Sequence, residues 1–329
     1  RVTGRHKPKA REIFKQLVTK SDVVIEGMRP GILTEWKLDY EDLIQLNQRI
    51  IMISCAIQGR AGPQGSYAGY GFDTLGLAGF ANYVGWPDRA PVGSYDAYGD
   101  LVVPWYALTA ILAALDHRRR TNKGAYIDVS QIDTGVHFLS PAILDYTVNN
   151  RMQSRSGNRS SSFAPHNAYC CKGDDRWCTI AVTNDREWRA FCDTAGELDW
   201  INHPNFATAL ARKENEDELD KLIEAWTIDL TPEDVMTKLQ AVGVAAAVVK
   251  TAQDIFDDPQ VKFRDYLPIR EHAEIGACHH QGWPALLSKT PYQLRAAPCL
   301  GQDNEYVYQG LLSISDEEFV ELVQSGVIE

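Results

Sequence analysis

Three short apolar runs, each closing on a turn and each separated from the next by a helical pattern, constrain this chain more than any other feature. Val23-Val24-Ile25 follows Ala10, Ile13, Phe14, Leu17 and Val18, which recur at i, i+3, i+4, i+7 and i+8 as the buried stripe of an amphipathic helix. Ile50-Ile51-Met52-Ile53-Ser54-Cys55-Ala56 follows the helical stretch Tyr40 to Leu46 and lacks polar alternation, so both of its faces are predicted to be buried. Ala125 to Val129 follows an apolar stretch, Leu101 to Leu115, read as a buried helix that is too short for a bilayer and closes at Asp116-His117-Arg118-Arg119-Arg120. Helix, strand, helix, strand implies parallel crossovers, and hence a doubly wound, Rossmann-like α/β sheet.

The third run also carries candidate chemistry. In Gly124-Ala125-Tyr126-Ile127-Asp128-Val129-Ser130-Gln131-Ile132-Asp133-Thr134-Gly135 the strand stops at Ser130, and Ile132, Val136, Leu139 and Leu144 then mark a helical face. Ser130 suits the N-cap, and Asp133 falls in the first turn, where the helix dipole and free N–H groups favour an anion. The same Ser-x-x-Asp spacing fits a helix start whose carboxylate only satisfies a backbone N–H, and spacing alone leaves both readings open. The stretch from Gln58 through Gly71 carries five glycines and Pro63, a loop at the carboxyl end of the Ile50 strand, where open α/β sheets bind ligands.

The pattern from Gly124 through Ile127-Asp128-Val129-Ser130 to Asp133-Thr134 resembles the signature of the class III (CaiB/BaiF) CoA-transferases. The likeness extends along the chain through Asp22-Val23-Val24-Ile25-Glu26-Gly27-Met28-Arg29-Pro30-Gly31, Gly59-Arg60-Ala61-Gly62-Pro63 with Tyr70-Gly71-Phe72-Asp73, Asp258-Pro259-Gln260 and Ala297-Pro298-Cys299-Leu300-Gly301. The resemblance implies an enzyme that moves coenzyme A from an acyl-CoA to a free carboxylic acid through an aspartyl anhydride. It implies Asp133 as the acyl acceptor, with Asp128 the lesser candidate, and Tyr70 as an active-site hydrogen-bond donor. Gly27, Met28, Arg29 and Tyr70 match CoA-contacting positions, and Arg29 suits a CoA phosphate. It also implies two interlocked chains, as a homodimer or with a related subunit.

Two other functions compete with this one. A 2-methylacyl-CoA racemase would pair the aspartate with a histidine, and no His lies between Arg60 and Asp116. A non-catalytic subunit of a heteromeric transferase would have no need of Asp133. The family usually has Asn in place of Gly27 and Arg in place of Glu35, and the glycine-rich lid of its oxalate-type members is replaced by Arg155 to Ser162, so oxalate is not a favoured substrate. The chain also starts beyond the family's first strand and helix, which implies either a fragment or a partner that supplies them.

With 329 residues and 44% hydrophobic content, the chain can bury a large core in one or two domains. A polar run, Arg151 to Ser162, divides it, giving a large CoA-binding domain from residues 1–165 and 291–329 and a smaller α+β domain from 166–290. A net charge of −11 argues against a nucleic-acid surface. Arg1 to Arg11 has no apolar run behind it and reads as no signal peptide, and neither a membrane nor a metal is expected. Seven cysteines without paired C-x-x-C spacing fit reduced thiols in the cytoplasm, and His272, Cys278, His279 and His280 read as a solvated loop.

Overall fold

The computed structural model describes residues 7–93 and 98–328; the opening run Arg1 to His6 lies outside them. It divides into two compact units, one of Arg1–Arg155, Glu271–Gly276 and Ala296–Glu329, the other of Ser156–Arg270 and Ala277–Arg295.

The first unit begins with α1 (Pro8–Lys20), which buries Ala10, Ile13 and Val18 and leads into β1 (Val23–Glu26). A short α2 (Ile32–Glu35) and α3 (Tyr40–Leu46) follow, and the Asp39 carboxylate caps α3 by accepting from the Tyr40 N–H. β2 (Ile51–Ala56) is buried along nearly its whole length. Beyond the glycine loop come α4 (Gly71–Leu77), α5 (Phe80–Tyr83), α6 (Tyr98–Thr121), β3 (Ala125–Ser130), α7 (Gln131–Phe138) and α8 (Ser140–Asn149).

The three strands form a parallel sheet in the order β1-β2-β3. On one face Val18, Leu33, Leu38 and Leu43 pack with Ile50 and Met52. Ile51 and Ile53 alternate to the other face, where α6 lies against β2 and β3. Helices therefore cover both faces, as fully apolar parallel strands require.

The helical stretch 71–83 breaks at Gly79, whose φ of 93° is left-handed and open chiefly to glycine. One local expectation is corrected. The stretch read as a short buried helix is instead a 24-residue helix with one side covered. Val102, Val103, Ala107 and Ala114 are buried, whereas Leu101, Leu108 and Leu112 are exposed. Among the described residues it is the one helix long and apolar enough, by length and composition, to cross a membrane. Arg118 ties its carboxyl end to the sheet by donating to the carbonyls of Asp22 and Arg49 and pairing with the Asp22 carboxylate.

The second unit holds an antiparallel sheet of β4 (His166–Cys170), β5 (Trp177–Ala181) and β6 (Ala245–Val248). Its helices are α9 (Asp185–Ala195), α10 (Ala209–Glu214), α11 (Glu216–Thr227) and α12 (Pro232–Ala241), with Asn184, Thr208 and Thr231 capping α9, α10 and α12. Trp188, Phe191 and Trp200 stack in its core. α13 (Ala252–Asp257), α14 (Pro259–Phe263) and a hairpin of β7 (Ile269–His272) and β8 (Gly276–His279) come next. Finally α15 (Asp316–Gln324), capped by Ser315, belongs to the first unit, where Leu322 and Val327 pack with Ala10 and Ile13 of α1.

Gly124 shows how tightly β3 enters the sheet. Its N–H donates to the Gln48 carbonyl at 2.9 Å, and a Cβ at that position would lie 2.0 Å from the Ile50 carbonyl oxygen. Backbone cannot yield that distance cheaply, so Gly124→Ala is expected to destabilise the fold by more than about 2 kcal/mol in equilibrium denaturation. A loss under about 0.5 kcal/mol would mean that β3 enters the sheet differently.

Candidate active site

The carboxyl ends of the three strands are aligned by the register. Glu26 of β1 pairs across to Ser54 of β2, and Ser54 to Asp128 of β3, in a single row. The two acids of that row hold the two loops that follow. Glu26, only 8% exposed, accepts the Met28 N–H at 2.9 Å through one oxygen and the Arg60 guanidinium at 2.7 Å through the other. The other arm of Arg60 reaches Asp39 at 3.4 Å. Asp128 takes the Arg60 backbone N–H on both oxygens, at 2.9 and 3.2 Å. Gly59, with φ of 75°, makes the turn that offers this N–H to the carboxylate.

These anchored segments wall a cavity of about 490 Å³ within the first unit. The turn Gly27 to Pro30 forms one side, Cys55 to Ile57 the floor, and Tyr67 to Gly71 another side, with Asp100 and Gln131 completing it. Tyr70 begins α4 and donates its backbone N–H to the Asp73 carboxylate at 2.8 Å, while its side chain is 85% exposed. Asp100 lies in the first turn of α6, and one of its oxygens accepts from Gln131 Nε2 at 3.0 Å. Burial, followed by the charges of Glu26 and Asp128, pushes the Cys55 thiol above its ordinary value, which keeps it from competing as a thiolate nucleophile.

Of the residues expected from sequence, Gly27, Met28, Arg29 and Tyr70 line this cavity together. Asp133 does not line it. Gln131 does, and Asp133 sits two residues further on, about 200° around the helix axis. Its side chain is exposed and its N–H is bound by Ser130 Oγ at 3.1 Å, the geometry of an ordinary helix start. Asp128 is likewise occupied as a loop anchor. The carboxylate that lines the cavity with the Gly27 to Pro30 turn is Asp100, which the sequence reading passed over. Gly99-Asp100 ahead of a long apolar helix looks like a helix opening and nothing more, and only the packing of α6 carries it to the cavity. No group of three or more His, Cys, Asp or Glu side chains placed to hold a metal ion occurs among the described residues.

A parallel α/β sheet whose first two strand-to-loop junctions enclose a cavity, with a helix-borne carboxylate in it, has the ligand-site placement of the open α/β proteins. The sequence model of CoA-transferase family III matches residues 6–304, and the chain belongs to that family. It is 30% identical over 322 residues to a succinyl-CoA–D-citramalate CoA-transferase from Chloroflexus aurantiacus, covering 98% of this chain and 80% of that protein. It is also 30% identical to a succinate–glutarate CoA-transferase from Agrobacterium fabrum, over 93% of this chain and 76% of the relative. The crystal structure of a CaiB/BaiF family protein from Brucella suis superposes with a TM-score of 0.86 at 29% identity, over 94% of this chain and 80% of that one. The chain is therefore a CoA-transferase, which exchanges CoA between acyl-CoAs and acids.

The Glu26–Arg60 pair gives this site a direct stability test, since the two side chains are only 5% and 11% exposed. Arg60→Met leaves the Glu26 carboxylate buried without its cation and is expected to cost about 3–5 kcal/mol, whereas adding Glu26→Gln should recover part of that loss. Equal stability for the single and double variants would show that the pair does not couple the two loops.

Proposed function

We propose that Asp100 is the covalent acyl acceptor and that CoA lies along the Gly27 to Pro30 turn. One observation carries this reading: Asp100 is the aspartate that lines the cavity with that turn and with Tyr70, while Asp128 and Asp133 line no part of it. An Asp100 oxygen attacks the thioester carbonyl, the C–S bond breaks, and the sulfur leaves as CoA thiolate, giving a mixed anhydride. The thiolate then attacks the aspartyl carbonyl carbon and expels the donor's carboxylate, leaving an aspartyl thioester. The acceptor carboxylate displaces CoA from it, and the thiolate finally attacks the acceptor's carbonyl, releasing acceptor-CoA and the Asp100 carboxylate. No net proton is needed, since every entering and leaving group is an anion. Tyr70 hydrogen-bonds the acyl oxygen, and Arg29, exposed on the turn, meets a CoA phosphate.

The relatives' names favour succinyl-CoA as donor and a dicarboxylic acid as acceptor. A racemase is disfavoured because no histidine is among the described residues lining the cavity. The exposed leucines at 101, 108 and 112 on α6, spaced as an apolar stripe, support a second chain as partner, either another copy or a related subunit like the one a beta-subunit relative is named for. All seven cysteines are free, which supports a reducing, cytoplasmic setting.

With succinyl-CoA and glutarate, Asp100→Asn is expected to lower kcat by more than about 10³-fold, while Asp133→Asn stays within about threefold of the parent and loses under ~1 kcal/mol of stability. The opposite ranking of the two variants in steady-state kinetics would return the nucleophile to Asp133.

A further inference from the structure

We infer that Gln131 is a second catalytic side chain, the hydrogen-bond donor that binds Asp100 Oδ1 throughout the transfer, and that Thr74 is the positioning residue that orients it. The inference rests on Asp100 being the acyl acceptor. Thr74 Oγ1, on a residue 1% exposed, bonds Gln131 Oε1 at 3.0 Å, and Gln131 Nε2 bonds Asp100 Oδ1 at 3.0 Å. Only one orientation of the amide satisfies both contacts. An ionised carboxylate can only accept, so the NH₂ must face Asp100, and the amide oxygen must then take the Thr74 hydroxyl proton.

The three residues come from α4, α6 and α7, and two glycines let those helices close on one another. A Cβ on Gly99 would meet Thr74 Cγ2 at 2.7 Å, and one on Gly135 would meet Ala78 Cβ at 2.8 Å. Asp100 is thus carried over the Gln131 amide by the close contact of its own neighbour with Thr74. The donor is a half-buried side-chain amide whose other end is held by the buried Thr74 hydroxyl, so its orientation is set before substrate binds.

The hydrogen bond distinguishes the two carboxylate oxygens. Oδ2 is free to attack the thioester carbon, and Oδ1 becomes the carbonyl oxygen of the anhydride. When the CoA thiolate attacks Asp100 Cγ, the C=O electron pair moves onto Oδ1. It returns as the bond to the donor's carboxylate breaks, and the Gln131 N–H stabilises the charge between those events. A neutral amide suits this task better than a cation. A lysine or arginine would hold the resting carboxylate as firmly as the oxyanion and dull its nucleophilicity, whereas an amide strengthens its bond as charge gathers on one oxygen.

The test uses the full-length chain with succinyl-CoA and glutarate. Gln131→Leu is expected to lower kcat about 10²–10³-fold with the KM for succinyl-CoA within about threefold. Thr74→Val should reproduce the same kcat-specific loss at a smaller factor, and Thr74→Ser should restore it. If Gln131→Leu keeps kcat within twofold while Asp100→Asn is inactive, the Gln131 role is wrong and the nucleophile assignment stands. If Asp100→Asn retains near-parental kcat, both fall together. A Thr74→Val that loses thermal stability but keeps kcat would remove Thr74 from the site and leave it as core.

Discussion

One row of the parallel register, Glu26–Ser54–Asp128, supports the whole carboxyl end of the sheet. Two acids on the outer strands flank a buried serine, and a single residue of the following loop, Arg60, answers both, with its guanidinium on Glu26 and its backbone N–H on Asp128. Because Glu26 also binds the Met28 N–H, the turn after β1 and the loop after β2 are fixed relative to each other. A slip of one residue between strands would reverse the facing of every side chain and break this arrangement. The apolar core of the sheet therefore sets the shape of the cavity as well as the stability of the unit.

The rest of the site depends on helix packing. A carboxylate at the start of α6 becomes part of the cavity only because Gly99 has no side chain and lets that helix close on Thr74. The chain's net charge of −11 is unfavourable for an anionic cofactor in bulk terms. Charges more than about 8 Å away are screened at physiological salt, however, so in the proposed reading a local cation such as Arg29 decides binding.

Apolar runs at Val23, Ile50 and Ala125 made the parallel sheet and its loops legible in the sequence, since a strand buried on both faces leaves a periodicity that needs no tertiary information. That Gly27, Met28, Arg29 and Tyr70 line one cavity was legible because topology puts such loops together at the carboxyl end of the sheet. The acid was not. Asp133 fits a helix N-terminus beside a strand, but which side of a helix faces a cavity depends on the rotation of α7 against α4, and that is set by contacts such as Gly135 with Ala78. Gln131, which does face the cavity, looks in sequence like an unremarkable polar residue between a cap and an apolar stripe. The break at Gly79 and the exposed side of α6 were hidden for the same reason, as each depends on what lies opposite and composition does not encode it.

The central claim is that the acyl group passes through Asp100, and covalent trapping tests it most directly. The protein would be incubated with succinyl-CoA and hydroxylamine, digested with trypsin and mapped by mass spectrometry. Asp100 lies in the fragment 90–118, and Asp128 and Asp133 in the fragment 124–151. The account predicts a hydroxamate on Asp100 in the first fragment, formed only when succinyl-CoA is present. A label confined to the second fragment would contradict it.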